Sequence, residues 1–309
     1  MKREAWYLVV YLTLAVATGF ADVRMRAHTD NVVKSYIPGV VAGTESAPGR
    51  YRVLMPFAID GVARATGASL ISVWYVSRLL LLFTAFCVIH LYLRTWFAPG
   101  EAFAAVALTA ATLPLTFTNS WPHPDHFAEL ALFTLGAVAI ARRSDALFGA
   151  ALAAAALNRE TSAFLVLLYC VAEPLTRARA IRTVLFGAEW FAIYAGLRAV
   201  RGLSHYEYWQ AGRNLADLGL LPSAFDPYYR AYAYFGLVLF GPMLVLALRA
   251  DAPRFARRAL LVVPCFVAVA FMFSSIIESR IFTPLYALIL PGLMFFLFPS
   301  ALTVRERVL

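Results

Sequence analysis

The chain has 309 residues, 61% of them apolar and 15% charged, and its net charge of +9 comes from 25 Arg and 2 Lys against 18 acids. A soluble domain carries about 25% charged residues, so this composition, with a mean hydropathy of +0.71, excludes an ordinary soluble globule and leaves no room within these residues for a soluble catalytic domain. The positive balance does not indicate nucleic acid. No basic run is interleaved with exposed aromatics, and basic residues in a bilayer protein serve topology first.

Hydropathy predicts an all-α bundle, a single integral-membrane domain over 1–309, with about ten transmembrane spans near 5–21, 69–93, 101–118, 127–141, 144–158, 161–176, 183–200, 231–248, 259–276 and 282–299. The first stretch, after Lys2 and Arg3, imitates a secretory signal, but Gly19, Phe20 and Ala21 make a poor cleavage site and an uncleaved span is expected. The stretch 144–176 reads as one long helix or as two short ones broken at Asn158, Arg159 and Glu160. Charge decides for two. Only then do Arg94, Arg142 and Arg143, Arg177, Arg179 and Arg182, Arg249 to Arg258, and Arg305 and Arg307 join Lys2 and Arg3 on one side, the cytoplasmic side of a bacterial inner membrane, with both termini there. Cys87, Cys170 and Cys265 fall inside spans without C-x-x-C spacing and read as small apolar residues.

With that threading, the remaining polar groups collect on the outer, periplasmic face. The first outer loop, 22–68, contains a segment over 53–67 that reads as a short amphipathic helix on the membrane surface, with Asp60 and Arg64 four apart on its polar side. The second sizeable outer loop, 201–230, carries Tyr206, Tyr208, Trp209, Tyr228 and Tyr229, which suit an interfacial belt or a sugar- or lipid-stacking surface. No internal repeat is found, against the pattern of secondary transporters built on inverted repeats.

The polar groups allow chemical and structural readings side by side. Asp30 follows the first span, where a carboxylate suits general-base work or a helix N-cap. Arg50 and Arg52 stand before the surface helix, placed for lipid phosphate or for headgroup anchoring. Arg78 lies within the second span, where an unpaired charge costs about 3 kcal/mol or more, so it is expected to face the bundle interior, toward Glu189 or another polar group. His123, Asp125 and His126 share a tight turn with Pro124. Their types allow a divalent cation (Mg or Mn), hydrogen bonds to substrate, or a structural turn. Arg159 and Glu160 interrupt an apolar stretch, and Glu278 and Arg280 do the same between the last two spans. Substrate or lipid-phosphate contact and self-satisfied helix turns both account for such breaks.

No P-loop, G-x-S-x-G, Rossmann fingerprint or S-x-x-K is present, which removes the common motor, serine-hydrolase and nicotinamide classes. The chain resembles the GT-C type of integral-membrane glycosyltransferases, which use polyprenyl-phosphate sugars. The resemblance rests on Asp30 followed by Tyr36, on Arg50 to Pro56 leading into a surface helix, on His123 to His126, on the break Asn158 to Thr161, and on Glu278 to Pro284 before a span. It departs from that family in having Thr29, Asp30 and Asn31 in place of paired acids, and in its short length.

The resemblance implies inverting transfer of a sugar from a polyprenyl-phosphate donor to a lipid or glycan acceptor at the periplasmic face, among membrane lipids and without nucleic acid. Asp30 would be the general base, Asp125 would place the acceptor or bind metal, and Arg52, Arg159 and Arg280 would meet the lipid phosphate. The competing expectations are a transporter or flippase of lipid-linked saccharides, which predicts polar groups through the whole bilayer depth, and an inactive scaffold subunit of envelope polysaccharide assembly.

Overall fold

The computed structural model describes residues 2–25, 32–117, 125–203, 209–221 and 234–299. Asp30, His123 and Tyr206, Tyr208, Tyr228 and Tyr229 of the second outer loop lie outside them. Among the described residues the chain is all helical, with no strand. The helices are α1 (Lys2–Met25), α2 (Ile37–Ala42, after a π-helical turn Val32–Tyr36), α3 (Leu54–Thr66), α4 (Leu70–Leu93), α5 (Pro99–Thr112) and α6 (Asp125–Ala141). They continue with α7 (Asp145–Asn158), α8 (Ala163–Ala172), α9 (Arg177–Arg201), α10 (Ala211–Asp217), α11 (Phe235–Arg249), α12 (Arg254–Ala259), α13 (Val262–Phe273) and α14 (Leu285–Leu297). Four stretches, Ala5–Arg24, Leu70–Leu93, Arg177–Arg201 and Arg254–Phe273, are long and apolar enough to cross a membrane, which makes this a membrane protein. Each of the ten predicted segments coincides with a helix or a closely joined pair, though several are shorter than a full crossing.

Local chemistry sets the helix starts. Ser69, Ser144 and Thr176 accept from the backbone N–H of Ser72, Leu147 and Arg179 at the starts of α4, α7 and α9, supplying partners for otherwise orphaned donors. Glu101 accepts from the N–H of Ala98, with Pro99 at the first position of α5. The surface segment forms α3 as expected: Met55, Pro56 and Ile59 are buried, Asp60 pairs with Arg64 at 2.8 Å, and Gly67 ends the helix at φ 69°.

The centre of the bundle is α6, buried along almost its whole length and packed by α4, α7, α8 and α14. Glycines allow two close approaches. A Cβ at Gly136 would lie 2.7 Å from Leu165 of α8, and one at Gly292 in α14 would lie 2.9 Å from the Ala247 Cβ of α11. Small residues at such crossings suit helices that associate in lipid by packing alone. Neither α11 nor α14 stops at its internal proline, Pro242 or Pro291, as bilayer helices tolerate. By contrast, α9 buries no residue of its own and leaves Val184, Leu185 and Phe191 exposed.

The stretch 144–176 is two helices. Asn158 ends α7, Arg159 is extended at φ −158° and ψ 150°, and a 3-10 turn over Glu160–Ser162 leads into α8. The end of α7 and the turn into α8 meet the start of α6 and the C-terminal end of α9, and Arg280, in the turn Ser279–Phe282 before α14, belongs to the same electrostatic field. That convergence places the polar groups described next.

Candidate functional site

The break at Arg159 organises the cluster. Asn158 donates from Nδ2 to the Asp125 carbonyl at 2.8 Å, tying the end of α7 to the start of α6. Arg159 then reaches Glu129 on α6, Nη1 to Oε2 at 2.5 Å, and approaches Asp125 with Nε at 3.4 Å from Oδ2. Thr161 donates to the other Glu129 oxygen. The side chains of Arg159, Asp125 and Glu129 are 5%, 2% and 4% exposed, so this is a sealed ion network in which each charge depends on its partners.

Above it the cluster loosens. Arg52, from the turn before α3, lies 3.3 Å from Asp125 and 3.6 Å from Glu160. Arg198, near the end of α9, lies 3.7 Å from the other Glu160 oxygen, and its guanidinium stacks over the Tyr51 and Tyr194 rings at 4.2 and 3.4 Å. The two contacts of Glu160 are longer than hydrogen bonds, and its side chain is 30% exposed against 14% and 12% for Arg52 and Arg198. Arg280 donates from Nε and Nη2 to one Glu278 oxygen at 3.1 and 2.7 Å. The open edge of the cluster therefore carries two carboxylates, Glu160 beside the partly buried Arg52 and Arg198, and Glu278 backed by the buried Arg280.

The electrostatics follow. Burial alone would lower the Arg52 value, but Glu160 and Asp125 outweigh it and hold the guanidinium above its ordinary range. Burial pushes the Tyr36 phenol up, with Asp125 adding to the effect, so Tyr36 remains a neutral hydroxyl beside the cluster. For Glu278, burial acts to raise the carboxyl, but Arg280, then Arg159 and Arg52, prevail and hold it below its usual range. A group held down in this way contributes stability above its unfolded value and loses it as pH falls through the folded one. The melting-temperature gap between wild type and Glu278→Gln is thus expected to be widest at neutral pH and to narrow below about pH 4.3. A gap unchanged between neutral and strongly acidic pH would contradict this pairing.

The sequence-predicted residues divide. Tyr36, Arg52, Asp125, Arg159, Glu160, Glu278 and Arg280 share this end of the bundle, either in direct contact or within the same field. Arg50 does other work: it donates to the carbonyls of Glu45 and Arg201 at 2.8 and 3.4 Å. With Tyr51 donating to Gly202 and Arg201 to Val40, it clamps the segment 40–51 to the end of α9. The His126 ring is buried against Phe117 and Phe127, and Asp125 faces two guanidiniums, a poor setting for a cation. Among the described residues no three His, Cys, Asp or Glu gather as metal ligands.

Arg78 faces the interior as expected, but its partner is Asp22, near the C-terminal end of α1, and it stacks on Trp74 and Phe127 at 4.6 and 4.7 Å. Glu189 instead lies beside Gly149 of α7. Sequence reasoning missed Asp22, Glu129 and Arg198 as members of this region. Glu129 carried a usable signal, since an acid inside an apolar span needs a partner as much as Arg78 does.

Comparisons of the chain with family models, curated proteins and solved structures find no match.

Proposed function

We propose that this chain is a multi-pass membrane glycosyltransferase that moves a sugar from a polyprenyl-phosphate donor to a lipid or glycan acceptor at the outer face, with inversion at the anomeric carbon. In this reading all ten helical segments cross the bilayer, the shorter ones beside their non-helical or 3-10 extensions. The basic loops at Arg94, Arg142 and Arg143, and Arg249 to Arg258 then lie on the cytoplasmic side of a bacterial inner membrane.

The observation that carries the reading is the seat of Glu160. Two guanidiniums from different elements, Arg52 and Arg198, converge on one half-exposed carboxylate at distances too long for hydrogen bonds. A phosphate monoester or diester matches guanidinium better than a loosely held carboxylate does, and would take that seat as Glu160 swings outward. The sealed Asp125, Glu129 and Arg159 network beneath keeps Arg52 in place when the seat changes hands.

In the transfer step the acceptor oxygen forms a bond to the anomeric carbon as the bond from that carbon to the phosphate oxygen breaks. The acceptor proton passes to Asp30, the base that the family resemblance implies, and polyprenyl phosphate leaves with the bonding electrons. Arg52, Arg198 and Arg280 neutralise the charge developing on that leaving group, in a site of low dielectric where such preorganised donors act strongly. One-sided polar groups favour this reading over a flippase, which needs polar footholds through both halves of the bilayer.

If phosphate displaces Glu160, then Glu160→Gln removes a competitor. The variant is expected to bind polyprenyl phosphate about 2- to 5-fold more tightly than wild type, in the range of an exposed ion pair. Equilibrium binding in detergent micelles measures this. Weaker binding by Glu160→Gln would remove the seat from the account.

A further inference from the structure

Helix α9 is one of the four helices long and apolar enough to cross a membrane, yet it buries no residue of its own. One face holds it to the bundle: Phe186 packs on Phe148 and Tyr169 with ring centroids 4.7 and 5.0 Å apart, and Trp190 donates to the Ser162 hydroxyl at 2.9 Å. The opposite face carries Leu185, Ala188, Ala192 and Gly196, all exposed. The last three are small and recur at every fourth position, so they share one stripe of the helix, and a Cβ at Gly196 would meet nothing within 4 Å. Such a stripe lets a second helix approach closely in lipid, but by itself it does not say which.

Glu189 does. It is the middle residue of the 25 in α9, about 18 Å from either end at 1.5 Å per residue, and it flanks the small stripe at the seam with α7. Two ion contacts of the same helix mark its depth. Arg182 meets Asp145 in the first half of α9 and Arg198 meets Glu160 near its C-terminal end, about 10 and 13 Å from Glu189 along the axis. The carboxylate lies over Gly149 of α7, where a Cβ would be 3.5 Å from Glu189 Oε2, so the glycine leaves the space that the carboxylate occupies. Among the described residues Glu189 has no hydrogen-bond or ion-pair partner.

An acid at mid-bilayer depth is costly unless it is paired or used. This chain supplies no cation for it. Arg78, in the interior of α4, is taken by Asp22, and the other described arginines and lysines of the four spanning stretches stand within two turns of a helix end. A second copy of the chain would bring another Glu189 and no cation at that depth, and the acyl chains of phospholipid carry none.

We propose that this face of α9 is the docking site for a transmembrane helix of another protein, one that carries a Lys or Arg at mid-bilayer depth. The small stripe permits the close approach, and Glu189 selects the partner by charge. Neither the guanidinium cluster nor a donor lipid takes part, so the docking site stands whether or not the chain transfers sugar.

The test uses the full chain, with a fluorescent donor at its C-terminus, in phosphatidylcholine vesicles, which carry no net charge. The probes are acceptor-labelled Leu/Ala helices of about 21 residues, identical except for the central residue, which is Lys in one and Leu in the other. Energy transfer titrated against the peptide-to-lipid ratio gives the affinity. The Lys-centred helix is expected to bind about tenfold more tightly than the Leu-centred one, and this preference is expected to vanish in Glu189→Gln, whose amide keeps the shape and loses the charge. Ala192→Leu, at an exposed position of the stripe, is expected to weaken the Lys-centred helix by a similar factor, which covers the case in which Glu189→Gln does not fold. Equal binding of the two helices by wild type would overturn the docking site, as would a preference that survives in folded Glu189→Gln or an affinity unmoved by Ala192→Leu. Self-association of the chain without peptide, lost in Glu189→Gln, would overturn it in favour of a second copy as the occupant.

Discussion

Arg159→Met is expected to destabilise the protein by about 3–5 kcal/mol, because it leaves the buried Glu129 carboxylate without its cation and Asp125 with Arg52 alone. Asp125 and Glu129 have side chains only 2% and 4% exposed, and Arg159 contacts both. Water cannot reach them to compensate, and the turn that joins α7 to α8 begins at the same residue. Thermal unfolding in detergent, followed by the loss of monodisperse protein, measures the effect. Adding Glu129→Gln to Arg159→Met removes one uncompensated charge and is expected to recover part of the loss. A melting temperature unchanged by Arg159→Met would show that the network carries no structural weight.

Arg52→Gln is expected to leave the fold largely intact and to lower transfer about 10²- to 10³-fold, the size of effect seen when one preorganised donor to a developing anion is removed. The distinction from Arg159 is geometric. Arg52 comes from a turn, contacts Asp125 at 3.3 Å and Glu160 at 3.6 Å, and lies at the boundary between the sealed and open parts of the cluster. Asp125 retains Arg159 in its absence. Single-turnover rates at saturating donor separate the loss of leaving-group stabilisation from weaker binding. A variant that turns over at the wild-type rate would remove Arg52 from the reaction.

The helices were legible in the sequence because hydropathy and capping act locally. Ser69 and Ser144 stand at predicted span starts and do cap them, whereas Thr176, placed at the end of the preceding predicted span, caps α9 several residues before its predicted start at 183. The break at Asn158 and Arg159 was legible for another reason: a single long helix would have placed the arginines at 177–182 on the wrong side. Charge cost identified Arg52, Arg159, Glu160, Glu278 and Arg280 as groups needing partners, and they do share one end of the bundle. The identity of each partner was not legible. Arg78 could be assigned to the interior from its span alone, but its pairing with Asp22 depends on the packing of α1 against α4. Arg50 and Arg52 are two residues apart, yet one clamps a loop to α9 and the other enters the cluster. Spacing does not distinguish them, because the direction of each side chain is set by the turn Gly49–Tyr51 and what packs on it.

The most direct test of the central claim is a transfer assay on purified protein in lipid, offering a panel of polyprenyl-phosphate sugars with and without divalent cation and scoring release of polyprenyl phosphate, with wild type beside Asp30→Asn. The account predicts release from at least one donor by wild type and its loss in a folded Asp30→Asn. No release from any donor by folded wild-type protein that still binds lipid-linked sugar would contradict it and favour a flippase or a scaffold.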